Sequence, residues 1–355
     1  MYQWQRFHIF DELGHYSHHI TVFNPLNYKS IEIANEELIK HINTKRDCYD
    51  LFMTCVDSND LYPETVYKIK RKSIPALLIC FDNLQIPHNY KQIAPCFDLV
   101  WLTSPETKYL FDKWGSKSVF LPYAANPFMF KPCSIEERQS VGFIGTPYGA
   151  RKHKLMTLVK NSIEVEVYSQ QSAISASFYQ SPLSRALKNV FKSVSQFEKL
   201  LKTPVGRKCI KGALKASVTN KNNETSIPVL PPVSFEEMVQ LYSDFKLSLG
   251  VTELWNTYTL KKPVYKLHLR TFEIPMCGGA QIVTRTEEIG KYFDEDKEIV
   301  LYNGDDEFID KCRFYLNPRN EPTVKKIKIN ARKRAEKDHT WNNRFNRIFS
   351  QLGLF

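Results

Sequence analysis

Short runs of β-branched and aromatic residues alternate with helical patterns along this whole chain, and that alternation constrains the fold more than any other feature. It is typical of α/β units built around a parallel sheet. The first half holds candidate strands at 19–24, 49–56, 76–82, 98–103 and 119–123, with helices predicted at about 31–43, 63–71, 88–95 and 105–114. The second half holds candidate strands at 141–146, 165–168, 247–251, 280–284 and 299–302. We therefore predict two doubly wound parallel-sheet domains in tandem.

The length of 355 residues suits two domains of ordinary size. We predict an N-terminal domain at 1–134, a C-terminal domain at 135–330 with an insertion at 171–233, and C-terminal helices at 331–355 that pack back towards the first domain. Ser234 and Glu237 have the spacing of a capping box, which predicts a helix start at Ser234. The chain opens with a helical pattern at 4–13, so the first sheet should lack the strand that normally begins such a domain.

Positive charge is concentrated in one segment, residues 181–222. The chain carries 49 basic and 38 acidic residues, a net charge of +11, and ten of the bases lie in this segment against Glu198 alone. A helix over 183–201 would have one apolar and one basic face. Such a helix can lie on an anionic membrane surface or pack in the ordinary way with a solvated face. Nucleic acid is a third, less favoured partner, because no base-reading motif accompanies the charge.

The sequence predicts neither a membrane-spanning helix nor a signal peptide. Its longest uncharged apolar stretches, such as 74–80, are far shorter than the roughly 18 residues that a spanning helix needs. The N-terminus carries polar and charged residues where a signal peptide has an apolar core. We expect a cytoplasmic protein, peripheral on the inner face of the cell membrane if the basic segment binds lipid.

Two stretches at predicted strand ends carry residues suited to an anionic ligand. Residues 141–149 run from a strand into a glycine turn, followed by Arg151, Lys152 and Lys154. Glycines allow a diphosphate to approach closely and the bases supply charge. The alternative is a plain strand-to-helix turn, since neither a Walker motif nor a full GxGxxG is present.

The second stretch, residues 268–283, places Arg270 and Glu273 on a short helix before Gly278, Gly279 and a buried strand. An ionised carboxylate can accept two hydrogen bonds, as the vicinal hydroxyls of a ribose require. Arg270 would then neutralise a phosphate. Alternatively, Arg270 and Glu273 simply pair with each other on one side of the helix.

These stretches, together with Glu287, Glu288, residues 297–300 (KEIV) and residues 336–341 (EKDHTW), resemble the C-terminal half of the CgeB-like glycosyltransferases. Those enzymes are GT-B-fold relatives of the large family-4 retaining transferases. The resemblance spans about 138–345, with 171–233 poorly covered. It is looser in the first half, at 97–100 (FDLV) and 121–125 (LPYAA).

The resemblance implies a GT-B fold, with two Rossmann-like domains facing a cleft, the C-terminal one holding a nucleoside-diphosphate sugar and the N-terminal one the acceptor. It also implies catalysis without a metal or other cofactor, because basic side chains and helix N-termini stabilise the leaving diphosphate. Its implied donor residues are Gly145 and Arg151 at the diphosphate, Tyr168 near the base, Glu273 on the ribose, Arg270 and Lys266 at the phosphates, and Glu288 closing the pocket beyond Gly278 and Gly279.

One departure concerns the stereochemical outcome. Family-4 enzymes carry a second glutamate facing the sugar, eight positions before the residue that matches Glu273, and here that position is Tyr265. An inverting enzyme would need a base in the N-terminal domain to take the proton of the acceptor hydroxyl. Asp82, at the end of a predicted strand, is our first candidate and Asp57 our second, although either could instead cap the following turn.

We therefore predict a glycosyltransferase that uses a nucleoside-diphosphate sugar, with a cell-surface polysaccharide or a lipid-linked intermediate as acceptor. Arg270 and Arg151 would stabilise the charge of the departing diphosphate. Two alternatives stay open: a nucleic-acid-directed glycosyltransferase or basic nucleic-acid-binding protein, and a noncatalytic two-domain scaffold.

Overall fold

The computed structural model describes residues 3–44, 49–133, 137–170, 194–219 and 227–354. The chain forms two compact units: Met1–Tyr123 with Trp341–Phe355, and Ala124–Thr340. The chain thus passes between the units at 123/124 and again at 340/341, whereas the predicted boundaries lie at 134/135 and 330/331.

The first unit contains a four-stranded parallel sheet of order β1-β2-β3-β4. The strands are β1 Phe52–Thr54, β2 Ala76–Cys80, β3 Leu99–Leu102 and β4 Ser118–Phe120, and the helices up to this point are α1 Gln3–Gln5, α2 Asp11–His15, α3 Ile31–Thr44, α4 Pro63–Lys70 and α5 Lys108–Lys113. Every residue of β2 and β3 is buried. Uninterrupted apolar runs of this kind are expected where both faces of a parallel sheet are covered.

Four of the five strands predicted for this half are present, although each is shorter than expected. The prediction of a strand at 19–24 is wrong: the segment has no regular secondary structure, Val22 is 46% exposed, and the chain enters a 3-10 turn at Pro25–Asn27. Its β-branched side chains therefore have no sheet to pack on. As expected, the described part of this unit opens with helix rather than with a strand: residues 3–15 are helical, with a π turn at Arg6–Phe10.

The helix predicted at 88–95 is also wrong. The structure has two separate 3-10 turns here, Pro87–Tyr90 and Ala94–Cys96. Pro95 lacks the N–H that a continuous helix would need at this point, so the helical pattern is broken.

The second unit contains a five-stranded parallel sheet of order β6-β5-β7-β8-β9. All five strands predicted for this half are present, as β5 Arg138–Ile144, β6 Val165–Tyr168, β7 Phe245–Leu249, β8 Gln281–Thr284 and β9 Val300–Tyr302. The helices are α6 Ala150–Lys160, α7 Val194–Leu201, α8 Pro204–Thr219, α9 Phe235–Asp244, α10 Arg270–Met276, α11 Gly304–Leu316 and α12 Glu321–Asp338. One face of the sheet packs on α6 and α11 through a core that includes Phe143, Leu249, Ile282, Leu155 and Phe308.

The capping box predicted at the start of α9 is confirmed. The Ser234 hydroxyl accepts a hydrogen bond from the Glu237 backbone N–H at 3.2 Å, and the Glu237 carboxylate accepts one from the Ser234 N–H at 2.7 Å. Two donors at the helix start are thereby satisfied.

The predicted insertion is described only in part. Most of the amphipathic helix expected at 183–201 lies outside the described residues, and its last turns are α7. Helix α8 follows it. Within the described ranges, no helix combines the length and apolar character needed to cross a membrane.

The last helix, α13 Trp341–Leu352, completes the first unit. The buried Glu12 carboxylate accepts hydrogen bonds from the backbone N–H groups of Trp341 (3.2 Å) and Asn342 (2.6 Å) at the start of this helix. The Trp341 indole N–H donates to His8 Nδ1 at 3.1 Å, and the Arg344 guanidinium donates to the Pro122 carbonyl at 3.2 Å. An anionic group at a helix N-terminus is favourable, so Glu12 holds α13 in place.

Candidate active site

The order of the second sheet defines where a ligand would bind. From β5 the chain moves to β6 on one side, and β7 then lies on the other side of β5. This reversal is a topological switch point, and open α/β sheets bind ligands beyond the carboxyl ends of the strands at such a point. The glycine turn at 145–149 begins there.

Gly145 and Arg270 come together at this edge. Gly145 directly follows β5, has a φ of 136°, and donates its N–H to the Tyr168 carbonyl at 2.8 Å. A Cβ at this position would lie 2.1 Å from Arg270 Nη2, so a larger residue would displace the guanidinium. The same guanidinium lies 5.4 Å from the centre of the Phe143 ring. The two stretches predicted from the sequence, 141–149 and 268–283, therefore meet at this edge of the sheet.

Arg151, in the first turn of α6, faces the same place. Its Nη1 donates to the Thr146 carbonyl at 3.3 Å, and its guanidinium lies 4.7 Å from the centre of the Tyr148 ring. Burial, and next the charge of Arg270, lower the pKa of Arg151 to about 10. Two guanidiniums thus repel each other in a partly dehydrated place.

Two further basic residues join them from the segment before α10. Lys266 is buried, and its backbone N–H donates to the Thr252 carbonyl at 2.7 Å. Burial holds the pKa of His268 well below its usual range, and the charges of Lys266, Arg151 and Arg270 add to that effect. We call Arg151, Lys266, His268 and Arg270 the basic cluster. The lowered pKa leaves His268 neutral at pH 7, and a bound anion would relieve the repulsion between the charges of Arg151 and Arg270.

Glu273 lies one turn after Arg270 on α10 and is 7% exposed. Burial raises the pKa of Tyr242, a fully buried residue of α9. The charge of Arg270 opposes that shift, and the charge of Glu273 adds to it. The predicted ribose-binding carboxylate therefore lies on the same short helix as one member of the basic cluster, as its sequence position required.

Gly278 and Gly279 end α10. Gly278 has a φ of 70°, and a Cβ on Gly279 would lie 2.4 Å from the Tyr242 carbonyl. Gly278 ends the helix in the left-handed conformation and Gly279 lets the chain pass close to α9, which accounts for both of them structurally. Their place in donor binding stays a prediction.

Tyr168 and Glu288 are positioned differently. The Tyr168 carbonyl lies at the glycine turn, but its hydroxyl donates to Glu166 at 2.9 Å, and burial and then Glu166 raise its pKa. Glu288 follows β8 and precedes the 3-10 turn Ile289–Lys291. The roles predicted for both residues stay predictions.

The expectation that Lys154 supplies charge at the glycine turn is wrong. Lys154 is buried and turned towards α11, where its Nζ donates to the Asp305 carboxylate at 2.8 Å and lies 5.0 Å from the centre of the Tyr302 ring. Its charge is thereby neutralised within the protein. The spacing from the glycine turn could not show this, because it depends on which face of α6 packs inward.

The candidate bases Asp57 and Asp82 both lie in the first unit. Asp57 Oδ1 accepts a hydrogen bond from the backbone N–H of Asn59 at 2.8 Å, and its Oδ2 accepts one from Asn89 Nδ2 at 2.9 Å. This is the turn-capping alternative. Asp82 follows β2 and is exposed, and its backbone carbonyl closes a turn by accepting from Gln85 at 3.1 Å.

Sequence reasoning missed Glu253, a buried carboxylate in the loop after β7. It stands two residues beyond the predicted strand 247–251. A search for polar residues just beyond the carboxyl ends of the predicted strands could therefore have found it.

Residues 204–350 match a family model described as glycosyl transferase-like. This region is less than half of the chain and includes α8 to α12. No curated protein matches the chain significantly in sequence.

Solved structures share the fold over nearly the whole chain. Sucrose-phosphate synthase from Thermosynechococcus elongatus is 13% identical, with a TM-score of 0.51 over 94% of this chain and 82% of that one. HepE from Anabaena, in complex with UDP-glucose, is 11% identical, with a TM-score of 0.52 over 91% and 82%. A glycosyltransferase from Rickettsia africae ESF-5 is 12% identical, with a TM-score of 0.55 over 97% and 87%. These likenesses confirm the predicted GT-B fold class, while the narrower resemblance to CgeB-like enzymes stays a prediction.

Proposed function

We propose that the protein is a glycosyltransferase whose donor is a nucleoside-diphosphate sugar. The basic cluster at the switch point carries this proposal, because the guanidiniums of Arg151 and Arg270 meet there beside the glycine turn and a diphosphate is an anion that such groups bind. The family match over 204–350 and the GT-B fold support it. HepE, with the same fold, binds UDP-glucose.

In this proposal the second unit performs the chemistry of the donor. Arg151 and Arg270 stabilise the charge that develops on the departing diphosphate, which is the work that a divalent cation does in other transferases, so the reaction needs no metal. Glu273 accepts hydrogen bonds from the ribose hydroxyls. If the reaction inverts the anomeric centre, the exposed Asp82 is our candidate for the group that takes the proton of the acceptor hydroxyl.

The outer face of α8 supports an acceptor held at an anionic membrane. Its exposed residues include two apolar side chains, Leu214 (42% exposed) and Val218 (69% exposed). Four exposed bases share that face: Arg207, Lys208, Lys211 and Lys215. The opposite face is buried, through Cys209, Ala213 and Ala216. Apolar side chains flanked by bases are suited to lipid tails and anionic headgroups respectively. A lipid-linked or cell-surface glycan intermediate would be reached from such a surface.

The donor proposal is tested by calorimetric titration of UDP, GDP and ADP and of their glucose or mannose conjugates. We expect the wild type to bind at least one pair, and Arg270→Ala and Glu273→Ala each to weaken it about 10- to 100-fold, the range for a hydrogen bond to a charged group. Glu236→Ala removes an exposed carboxylate from α9 and should bind like the wild type. If the wild type binds none of these nucleotides, the result favours the alternative hypothesis of a noncatalytic two-domain scaffold.

Flotation with vesicles tests the membrane surface. We expect the protein to float with vesicles that contain phosphatidylglycerol and not with pure phosphatidylcholine. The double variant Leu214→Asp, Val218→Asp should lose this binding. Ile329→Asp, at an equally exposed apolar residue of α12, should keep it. Binding that Leu214→Asp, Val218→Asp leaves unchanged would refute the surface, and salt-dependent retention on DNA instead would favour nucleic acid.

A further inference from the structure

A second buried carboxylate lies at the same end of the second sheet as the basic cluster. Glu253 is 7% exposed. Its Oε1 accepts a hydrogen bond from Thr284 Oγ1 at 2.8 Å. Its Oε2 is buried and has no hydrogen-bond partner among the residues that the structure describes. Buried carboxylate oxygens are normally hydrogen-bonded, so Oε2 is left to accept from a donor other than the described residues, as a bound ligand would supply.

The hydrogen-bonding neighbour of Glu253 is a hydroxyl group, which is bonded in turn to a second hydroxyl group. Thr284 Oγ1 lies 2.8 Å from Glu253 and 3.1 Å from the Tyr302 hydroxyl. The carboxylate can only accept, so the single Thr284 proton points to Glu253 and the Tyr302 hydroxyl donates to Thr284. Glu253 also forms an antiparallel backbone bridge with Tyr265. It makes no ion pair with any described residue.

The loop that carries Glu253 is attached on both sides to the basic cluster. The Thr252 carbonyl, just before Glu253, accepts from the Lys266 N–H at 2.7 Å. The Trp255 carbonyl, just after it, accepts from the Ala150 N–H at 2.8 Å, next to Arg151. Trp255 adopts a φ of 50°, a conformation that costs energy for a residue other than glycine and therefore indicates a position fixed by its surroundings.

We propose that Glu253 binds the sugar of the donor, accepting a hydrogen bond from one of its hydroxyl groups through Oε2. A phosphate is excluded as the partner, because it would be repelled by the carboxylate and has the basic cluster to bind. A sugar attached to that phosphate offers several hydroxyl donors next to it. The inference rests on the proposed function, and it divides the donor into a diphosphate held by the basic cluster and a sugar recognised by Glu253.

The test compares a nucleoside diphosphate with its sugar conjugate, UDP with UDP-glucose first and GDP with GDP-mannose and ADP with ADP-glucose in parallel. Glu253→Gln keeps an acceptor for Thr284 but loses the charge. We expect it to bind the sugar conjugate about 10- to 100-fold more weakly, the fold-change of a hydrogen bond to a charged acceptor, and to bind the nucleoside diphosphate within about threefold of the wild type. The matched control is Glu295→Gln, whose carboxylate pairs with Arg285 just after β8; it should bind both ligands like the wild type.

A second readout begins with the unaltered protein, so that its first result does not depend on the folding of a variant. Donors that lack one sugar hydroxyl at a time should include one that binds about tenfold more weakly than the parent. Glu253→Gln should no longer distinguish that analogue from the parent.

The outcomes separate the two proposals. A wild type that binds no nucleoside diphosphate overturns the proposed function. A wild type that binds the diphosphate, with Glu253→Gln weakening both ligands equally or neither, overturns the sugar-binding inference alone. The same conclusion follows if all deoxy analogues bind the wild type like the parent.

Discussion

Replacing Arg151 by Met should make the free protein more stable while weakening its binding of a diphosphate. Burial and the charge of Arg270 lower the pKa of Arg151 from 12.5 to about 10. A base with a lowered pKa in the folded state is penalised while it is charged. The penalty is therefore complete below about pH 10 and disappears as the pH rises towards 12.5. At neutral pH it is fully present.

The size of the effect follows from the contacts. The lowered pKa corresponds to about 3 kcal/mol against the charged form. Met removes this penalty but also loses the hydrogen bond to Thr146, about 1 kcal/mol, and the cation–π contact with Tyr148, about 0.5–1 kcal/mol. The expected net gain is about 1 kcal/mol, or about 2–4 °C in melting temperature for a unit of this size.

Thermal unfolding with and without a nucleoside diphosphate is the decisive assay. At about 100 times its dissociation constant, the ligand should stabilise the wild type by about 2.7 kcal/mol and Arg151→Met far less, so that the order of stability reverses. Arg138→Met serves as the control, since Arg138 is paired with Glu166 at 2.6 Å and its loss should not stabilise the fold. An Arg151→Met variant that is less stable than the wild type without ligand would show that the basic cluster is not under repulsion.

Two further predictions concern one glycine and one carboxylate. Gly145→Ala should cost about 1–3 kcal/mol in unfolding free energy through its backbone conformation. It should also displace Arg270 and so weaken diphosphate binding at least about tenfold, and wild-type affinity in this variant would contradict the site. The control is Gly290→Ala, where a Cβ meets nothing within 4 Å, and it should change neither stability nor affinity. Hydrogen bonds from His153 and Lys154 hold the pKa of Asp305 below its usual range, so its stabilisation is present at neutral pH and lost as the pH falls below about 4. Asp305→Asn should lower the unfolding free energy by about 1 kcal/mol at pH 7 and make it fall less steeply with pH below about 4. If the unfolding free energies of wild type and variant fall equally steeply with pH there, the predicted role of Asp305 is wrong.

Much of the fold could be predicted because buried parallel strands appear in the sequence as short apolar runs. Strand β6 was predicted with its observed bounds, Val165–Tyr168. The failure at 19–24 has the same physical origin: β-branched residues favour a strand only where a neighbouring edge exists, and that is a tertiary property. The order β6-β5-β7 also lies beyond sequence periodicity, since a pattern of strands does not say on which side each one is added.

The candidate site divides in a similar way. Gly145, Arg151 and Arg270 could be predicted because strand-end turns and helix starts have sequence signals. The directions of Lys154 and Glu253 could not, because they depend on which face of a helix or loop packs inward. Lys154 lies only three residues from Arg151, yet it is turned to Asp305 and the core.

The return of α13 to the first unit has a consequence for how the chain folds during synthesis. Domains generally form in the order in which the ribosome releases them. Here residues 341–352, including the wholly buried Trp341, emerge after every residue of the second unit. The N-terminal half must therefore wait, with part of its apolar interior uncovered, until the whole second unit has been translated. A premature stop before Trp341 would leave an intact second unit beside a first unit that cannot close.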